Sequence, residues 1–270
     1  MIQRVSWQNR DSLDIVLAAL RDDGCAIVHD VLDDATLVAA REGIYRGKDL
    51  VESLIGRERL QQAGEIGVVR APMLASPVFY DLLALPPVLA IVDATVSTTA
   101  VLHVQNAFAL PPAAPQHQDT FQRTFHRDFP RVLNGYVCSV NMLLAIDDFT
   151  FDNGATLVIP GSHQRADAPP TASFESAAPA ECPRGGMIVF DSTLWHAAGI
   201  NQSAVDRCAV NQQFTRSYFK QQIDYVRCLG DEVVAAQSPR VQQLLGWYTR
   251  VPTSLTEYYL PERLYRQGQG

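Results

Sequence analysis

The sequence predicts a mainly β protein in which an antiparallel sandwich or jelly roll is flanked by helices. Six strand-like runs follow one another over residues 100–217 without an intervening helical pattern. Short segments rich in Gly, Pro, Asp and Asn, which favour turns, separate these runs. Helix-like sequence occupies residues 1–99 and 218–270 on either side. We therefore expect a single domain, residues 1–270, with a helical N-terminal region, a β core and C-terminal helices.

Periodicity and capping residues define the N-terminal elements. The first helix is amphipathic, with Ser12 as its N-cap, and Gly24 ends it. The segment CAIVHD, residues 25–30, predicts a short buried strand. Proline opens each of the last two helices at its first turn. The predicted helices span residues 12–20, 33–55, 77–84 and 87–96.

Runs rich in β-branched and aromatic residues make up the predicted core. Turn-forming pairs such as Asn153-Gly154 separate neighbouring runs. The predicted strands cover residues 101–110, 120–129, 134–146, 154–161, 185–192 and 206–219. After the core, two further helical stretches are expected over residues 220–237 and 238–248.

The composition excludes several functional classes. The chain has 22 Lys and Arg against 29 Asp and Glu, a net charge of −7, and no basic stripe, so we expect no nucleic-acid partner. No run of about 20 apolar residues occurs, which predicts no membrane span. The five cysteines include no C-x-x-C pair, which argues against a disulfide framework or a cysteine-based zinc site. We therefore expect a cytoplasmic protein, and the sequence does not indicate its oligomeric state.

Candidate metal ligands come from histidines that lie close to carboxylates. Two His-x-Asp triplets, His117 to Asp119 and His126 to Asp128, lie nine residues apart. Residues i and i+2 of a strand point to the same face, so each triplet can offer an imidazole and a carboxylate to one cation. Each triplet alone is also consistent with an ordinary surface strand or turn.

A third histidine extends this pattern. His196 follows the apolar run GGMIVFDS and precedes a turn. Two histidines and one carboxylate on β-strands form the facial triad of non-haem Fe(II) oxygenases, which leaves coordination positions open for substrate and O₂. Arg207 lies eleven residues after His196. If Arg207 is buried, it requires an anionic partner such as a dicarboxylate; an exposed Arg207 paired with Asp206 is the alternative.

The order and spacing of these motifs resemble the phytanoyl-CoA dioxygenase family of Fe(II)/2-oxoglutarate oxygenases. The matching segments are FHRDF, AIDDFTFDNGATLVIPGSH and GGMIVFDSTLWHAAGINQS, followed by Arg207. The resemblance covers about residues 100–217 and continues more weakly through LLGWY. No single motif is specific, but their combination in this order is.

The resemblance also selects between the two triplets. Family members carry an acidic turn, here Asp147 and Asp148, about twenty residues beyond the metal aspartate. Asp128 lies twenty residues before Asp148, whereas Asp119 lies twenty-nine residues before it. The implied iron ligands are His126, Asp128 and His196. His117 and Asp119 are then expected in a loop near the mouth of the site.

The same resemblance implies a double-stranded β-helix core and a set of cofactors. These are Fe(II), 2-oxoglutarate as cosubstrate and O₂, with Arg207 holding the distal carboxylate of the cosubstrate. Alternation along the strands provides further candidates for contact with cosubstrate or substrate, although ordinary strand polarity is the alternative. These candidates are Gln122, Thr124, Asn141 and Asn106. Relatives often carry a hydroxyl two residues after the second histidine; because Ala198 stands there, another residue is expected to steady the cosubstrate.

The implied function is a dioxygenase that hydroxylates an unactivated C–H bond of a small organic molecule, and we expect a role in specialised metabolism. The carboxylate of Asp128 disfavours halogenation, because related halogenases have Gly or Ala at this position. Desaturation, epimerisation or ring formation on the same site is an alternative, as is a non-oxidative cupin-type isomerase or lyase. The lack of a basic cluster argues against a CoA thioester as substrate.

Overall fold

The β-strands form two sheets in a computed structural model that describes residues 2–113, 123–133 and 135–259. The strands are β1 (Gln3–Ser6), β2 (Cys25–His29), β3 (Val68–Arg70), β4 (Val101–Leu110), β5 (Ser139–Ala145), β6 (Leu157–Val158), β7 (Ala178–Pro179), β8 (Met187–Asp191), β9 (His196–Ala197) and β10 (Arg207–Thr215). The large sheet has the order β1-β2-β8-β5-β10-β4-β3, and the small sheet has the order β7-β6-β9. Neighbouring strands are antiparallel except for the parallel pair β1 and β2.

The helices follow the predicted pattern with differences at their ends. They are α1 (Ser12–Asp22), α2 (Asp34–Ile55), α3 (Arg57–Gln62), α4 (Val78–Asp81), α5 (Pro86–Thr95), α6 (Thr171–Glu175), α7 (Tyr225–Leu229), α8 (Asp231–Ala235), α9 (Pro239–Leu244) and α10 (Leu255–Tyr258). Asp33 caps α2, and its side chain accepts a hydrogen bond from the Thr36 amide. Asp11, not Ser12, occupies the N-cap of α1. The predicted helix over residues 220–237 is divided at Gly230, whose φ of +93° ends α7.

The large sheet extends beyond the predicted β core. The N-terminal region contributes the predicted strand β2 and two strands that the sequence did not indicate, β1 and β3. β2 pairs with β8, and β3 pairs with β4 near the other edge of the sheet. Residues 1–99 are therefore not purely helical, because their short strands complete the sheet that begins in the core. The expected single domain of three parts stays a prediction.

The predicted strand over residues 120–129 is wrong in its described part. Residues 123–129 contain no strand, and His126 makes only an isolated bridge with His196. The alternation of His and Asp in this segment therefore does not reflect continuous pairing with a neighbouring strand. The chain is held there by single contacts, which are described with the site below.

Two apolar clusters account for the core. The larger cluster packs α1, α2 and α5 against one face of the large sheet, with Val28, Val140 and Met142 pointing toward the helices. The smaller cluster lies between the two sheets and includes Ile188 and Val158. Burial of this apolar surface from both faces is the main favourable contribution to folding. The predicted class, mainly β with flanking helices, is confirmed.

The helices offer little evidence of a membrane segment. In the described part of the chain, no single helix is long and apolar enough to cross a membrane. The bent pair 78–84 and 86–95 passes the test of length and composition when taken together. However, Phe79, Leu83 and Ile91 of this pair are fully buried in the core.

Candidate metal centre

Three side chains from two distant segments converge on one point. His126 and Asp128 lie between β4 and β5, and His196 is the first residue of β9. Nε2 of His126 lies 3.4 Å from one oxygen of Asp128, and Nε2 of His196 lies 3.7 Å from the other. One possible ligand atom from each residue lies within 4.8 Å of the others. Two imidazole nitrogens and a carboxylate oxygen at this spacing match the donor set of a non-haem Fe(II) site.

Backbone carbonyls orient both imidazole rings. Nδ1 of His126 lies 2.8 Å from the carbonyl oxygen of Thr124, and Nδ1 of His196 lies 3.0 Å from that of Leu194. Each Nδ1 can donate its proton there, which leaves Nε2 deprotonated and facing the shared centre. Two backbone hydrogen bonds of 3.0 Å between His126 and His196 hold the segments side by side. The rings are therefore oriented for metal binding by main-chain contacts.

The three groups shift one another's protonation. Burial disfavours a charged His126, but its hydrogen bonds to Asp128 and to the Thr124 backbone, together with the charge of Asp128, outweigh burial and raise its pKa. Burial disfavours the charged Asp128 carboxylate too, but His126, His196 and Asn141 together lower its pKa. His196 is the most deeply buried of the three, and burial lowers its pKa despite the nearby Asp128. The centre thus favours an ionised carboxylate, which a divalent cation requires.

Arg127 anchors the segment that carries the first two ligands. Its guanidinium donates hydrogen bonds to the carbonyl oxygens of Ser162 and Ala166, both at 3.1 Å, and also to that of Arg165. It also stacks 5.1 Å from the ring centroid of Trp195, the neighbour of His196. The Pro-Gly-Ser-His turn and the residues after it therefore position the segment that carries the first two candidate ligands.

The three candidate metal ligands line a cavity of about 210 Å³ that also contains Arg207. The Arg207 side chain is buried, and its Nε and Nη1 have no hydrogen-bond partner in the described part of the chain. Its guanidinium lies 4.3 Å from the ring centroid of Phe149. The nearby Asp147 is already bound by Arg41 and by the Cys208 amide. Burial lowers the pKa of Arg207 to about 10, so its charge lacks a full counterpart.

An unpaired buried guanidinium fits the distal carboxylate of a dicarboxylate cosubstrate. Arginine presents a fork of donors that matches carboxylate geometry, and two of the donor atoms of Arg207, Nε and Nη1, have no partner among the described residues. The residues present therefore fit both an iron ion at the triad and 2-oxoglutarate between the triad and Arg207.

The remaining predicted contact residues have different surroundings. Gln122 lies outside the described residues, as do His117 and Asp119. Thr124 is exposed, and its backbone carbonyl is the group that contacts His126. The other candidates line or adjoin the cavity: Asn106, Asn141 and the position without a hydroxyl, Ala198. Asn106 is buried, and its Oδ1 has no protein partner within the described segments.

Two further histidines, His103 and His163, each have a buried Nδ1 without a partner among the described residues. Nε2 of His163, in the Pro-Gly-Ser-His turn, lies 3.1 Å from the carbonyl oxygen of Arg21. Burial lowers the pKa of His103, although the charge of Asp128 acts in the opposite direction.

Several residues of the site were not indicated by their local sequence. Asn211 and Gln213 line the cavity from β10, on the same strand face as Arg207. A period of two from Arg207 would have indicated both. Ser139 and Ser192 lie beside them, fully buried, but no motif distinguishes these serines from structural ones.

Comparisons with known proteins agree with this architecture. The family model described as phytanoyl-CoA dioxygenase matches residues 20–209. An uncharacterized protein of Mycobacterium tuberculosis is 56% identical over 270 residues, covering 98% of this chain and 99% of its own length. The dioxygenase cdmA of Talaromyces verruculosus is 26% identical over 249 residues, covering 86% and 82% of the two chains.

Two solved structures share the fold. One is the non-heme alpha-ketoglutarate-dependent epimerase SnoN from nogalamycin biosynthesis, with a TM-score of 0.57, 17% identity and coverage of 77% of this chain and 84% of that one. The other is AviO1 from Streptomyces viridochromogenes, with a TM-score of 0.57, 19% identity and coverage of 75% and 94%. The predicted cupin-like, double-stranded β-helix core is confirmed.

Proposed function

The chain belongs to the phytanoyl-CoA dioxygenase family, and from this premise we propose that it hydroxylates an unactivated C–H bond of a small organic molecule. Membership of the family makes it a non-haem iron dioxygenase that uses Fe(II), 2-oxoglutarate and O₂. The identity of the reaction and the metabolic role are the parts we propose. One observation carries the proposal: a buried arginine, for which the described residues offer no free counterion, lines the same cavity as a two-histidine, one-carboxylate cluster.

The residues of this chain have separate tasks in the proposed reaction. His126, Asp128 and His196 hold the iron, and Arg207 binds the distal carboxylate of 2-oxoglutarate. When bound, iron and 2-oxoglutarate would activate O₂, which is the oxidant, because no protein side chain supplies oxidising equivalents. The cavity walls exclude water through apolar side chains such as Phe108, Leu143 and Phe190.

The nature of the primary substrate follows from the charge of the cavity. Asp128 keeps a carboxylate at the metal, which leaves no room for a halide in its place and supports oxygenation. Arg70, the other arginine that lines the cavity, is paired with Glu65. We infer a small substrate without phosphate groups, in keeping with an enzyme of specialised metabolism. A neighbouring structure is named for nogalamycin biosynthesis, which supports this class of role.

We propose a cytoplasmic location for the same enzyme. All five cysteines are free thiols, and four of them are buried. Unpaired cysteines are typical of proteins that fold in a reducing compartment. Labelling of cells that express the protein with a thiol probe restricted to one compartment would test this location. Labelling of the protein only in the exported fraction would contradict it.

The activity is tested by the conversion of 2-oxoglutarate to succinate. Purified protein with Fe(II), O₂ and 2-oxoglutarate should form succinate slowly without a primary substrate and faster when the correct substrate is present. A His126→Ala variant should form none. If this variant retains full iron-dependent turnover, the assignment of the ligands is wrong.

Another oxidative outcome on the same site is the second candidate, because the neighbour SnoN is named as an epimerase. Mass spectrometry of the product separates the outcomes, since hydroxylation adds one oxygen atom, desaturation removes two hydrogens and epimerisation leaves the mass unchanged.

A non-oxidative isomerase or lyase would need no Arg207. Turnover of a substrate without 2-oxoglutarate would favour that alternative.

A further inference from the structure

Two asparagines face the metal cavity side by side from neighbouring strands. Asn106 on β4 and Asn211 on β10 are directly opposite each other in the antiparallel register. Residues in this relation lie on the same face of the sheet, with their Cβ atoms roughly 5 Å apart. Both side chains line the cavity that contains the candidate metal ligands. We call Asn106 and Asn211 the asparagine pair.

The carbonyl oxygens of the asparagine pair lack donors. Oδ1 of Asn106 and Oδ1 of Asn211 are both buried, and neither has a hydrogen-bond partner among the described residues. Asn106 as a whole is only 5% exposed. A buried amide oxygen without a donor is costly, and native proteins contain few of them. Two such oxygens on residues that line one cavity therefore indicate a ligand that carries hydrogen-bond donors.

A buried network fixes the orientation of the Asn211 amide. Nδ2 of Asn211 donates to Oδ1 of Asn141 at 3.3 Å, and Nδ2 of Asn141 donates to Oγ of Ser192 at 2.7 Å. The Ser192 hydroxyl uses its own proton for Oγ of Ser139, also at 2.7 Å, so it is an acceptor toward Asn141. Turning the Asn211 amide over would place its oxygen against the oxygen of Asn141. Asn211 therefore keeps Nδ2 for Asn141 and retains Oδ1 as a free acceptor.

The cosubstrate 2-oxoglutarate cannot supply the missing donors. Both of its carboxylates are ionised near neutral pH, and its 2-oxo group is a carbonyl, so every polar atom of the molecule is an acceptor. Asn106 is one of the candidates that the sequence offers for contact with cosubstrate or substrate. Because its free oxygen needs a donor, the primary substrate is the better partner.

The charges near the asparagine pair favour a neutral donor. Arg70 on β3 is opposite Asn106 on the other side of β4, lines the same cavity and is paired with Glu65. Its guanidinium disfavours a substrate ammonium at the pair, because like charges repel. An ionised carboxylate would bring only acceptors to two acceptor oxygens. A hydroxyl is neutral, donates to an Oδ1 and can also accept from Nδ2 of Asn106.

We propose that the asparagine pair recognises the primary substrate, and that this substrate is a neutral molecule with neighbouring hydroxyl groups. The inference rests on the proposed function, because it takes this cavity to be the place where a small organic molecule is oxidised. Each Oδ1 accepts a proton from one hydroxyl. Methylation of these hydroxyls would leave both buried oxygens without a donor, so the site discriminates against the corresponding ethers.

The test uses small probes that differ only in their donors. cis-1,2-Cyclohexanediol offers two neighbouring hydroxyls, and its dimethyl ether has the same ring without a donor. cis-2-Aminocyclohexanol replaces one hydroxyl by an ammonium. Ligand-detected NMR measures the dissociation constants with protein that is loaded with Zn(II) and 2-oxoglutarate, because Zn(II) has no unpaired electrons and accepts imidazole and carboxylate ligands.

We expect the diol to bind at least about tenfold more tightly than the ether or the amino alcohol, which is the loss expected from one neutral hydrogen bond. Asn106→Leu, which keeps the volume but removes the amide, should weaken diol binding by about the same factor. Asn106→Asp keeps an acceptor oxygen at the same place, so it should bind the diol much more tightly than Asn106→Leu does.

Gln105→Leu is the matched control. Gln105 precedes Asn106 on β4, points to the opposite face and is fully buried, and its Nε2 donates to the Phe79 carbonyl at 3.0 Å. This variant should lose thermal stability but bind the diol like the wild type. Thermal unfolding confirms that each variant is folded.

Three results would overturn the inference: no detectable binding of the diol to the wild type, equal binding of the diol and its ether, or equal binding of the diol by wild type and Asn106→Leu. Weaker 2-oxoglutarate binding in Asn106→Leu, with unchanged diol binding, would assign Asn106 to the cosubstrate instead.

Addition of 2-oxoglutarate to the Fe(II) protein without O₂ separates this inference from the proposed function. The wild type should develop the visible charge-transfer absorption of a metal-bound 2-oxo acid, and its absence would contradict the proposed function. A normal absorption together with equal binding of diol and ether would contradict only the role of the asparagine pair.

Discussion

Replacing Arg207 by methionine separates the effect of the buried guanidinium on stability from its role in binding 2-oxoglutarate. Its Nε and Nη1 have no partner among the described residues, and Asp147, the carboxylate whose charge acts on it, is bound elsewhere. Methionine keeps most of the packing volume and carries no charge. We therefore expect Arg207→Met to leave the unliganded protein as stable as the wild type, or slightly more stable, and to abolish its response to 2-oxoglutarate.

The size of the effect follows from the surroundings of the guanidinium. Burial lowers its pKa from 12.5 to about 10, which corresponds to about 3 kcal/mol against the charged form. The variant loses the contact with the ring of Phe149, which is worth up to about 2 kcal/mol in a desolvated setting. The net gain is about 1 kcal/mol. In a chain of this size, that raises Tm by about 2–4 °C.

The assay is thermal unfolding with Mn(II), with and without 2-oxoglutarate. At a concentration of 100 times Kd, the cosubstrate stabilises the wild type by about 2.7 kcal/mol, or about 5–10 °C in Tm. Arg207→Met should show no such gain. Arg240→Met serves as control, because Arg240 pairs with Asp93 and with the carbonyl of Thr98 instead. That variant should lose some stability but keep the full response to 2-oxoglutarate.

Two results would refute the reasoning. If unliganded Arg207→Met loses more than about 3 kcal/mol of stability, the charge is compensated within the protein and the stated cost of burial is wrong. If 2-oxoglutarate raises the Tm of wild type and variant equally, Arg207 does not hold the distal carboxylate.

Three further predictions concern the ligands and one helix. His126→Ala should lose Co(II) binding, whereas His163→Ala, which removes a structural histidine, should retain it; equal loss in both would contradict the assignment. Co(II) affinity should fall as the pH drops, because metal binding needs neutral imidazole rings. The fall should begin above the pKa of free imidazole, since the pKa of His126 is raised. The pKa of His196 is lowered, so this ring protonates only at lower pH. A pH-independent dissociation constant between pH 6 and 8 would contradict this. Asp33→Ala should lower the free energy of unfolding by about 1 kcal/mol through loss of the α2 cap, measured by urea denaturation, without changing Co(II) affinity.

Long periodic elements were predictable, and short or isolated ones were not. The helix α2, with its Asp33 cap, and the strands β4 and β10 appear within a few residues of their predicted bounds. Each has many residues that repeat one pattern, so the signal accumulates. β6 keeps only two residues of the predicted strand over residues 154–161, and β9 has two residues that were not predicted as a strand. β1 and β3 are edge strands whose partners are distant in sequence. No local pattern can specify such pairings.

The segment 120–129 shows why a correct motif can accompany a wrong structure. Its alternation of polar and aromatic residues predicts a strand, but residues 123–129 are held by single contacts from Arg127 and by one bridge to His196. The spacing of His126 and Asp128 allows both side chains to approach one cation. This does not require their segment to pair with a neighbouring strand. The resemblance to a family, not periodicity, therefore distinguished this triplet from the one at His117. Whether the three residues bind iron is still a prediction.

The polarity of β10 limits what each part of the cavity can bind. One face of the strand carries Arg207, Ala209, Asn211 and Gln213. The cationic Arg207 therefore lies at one end, and the neutral amides of the last two residues lie about 13 to 20 Å further along the strand. A dicarboxylate that spans the cavity toward Arg207 has only one orientation with a charged partner. The amide end offers hydrogen bonds without net charge, because Arg70, which also lines the cavity, is occupied by Glu65. An anionic primary substrate would have no counterion among the described residues there, so an uncharged polar molecule fits this end of the cavity better than a phosphate-bearing one.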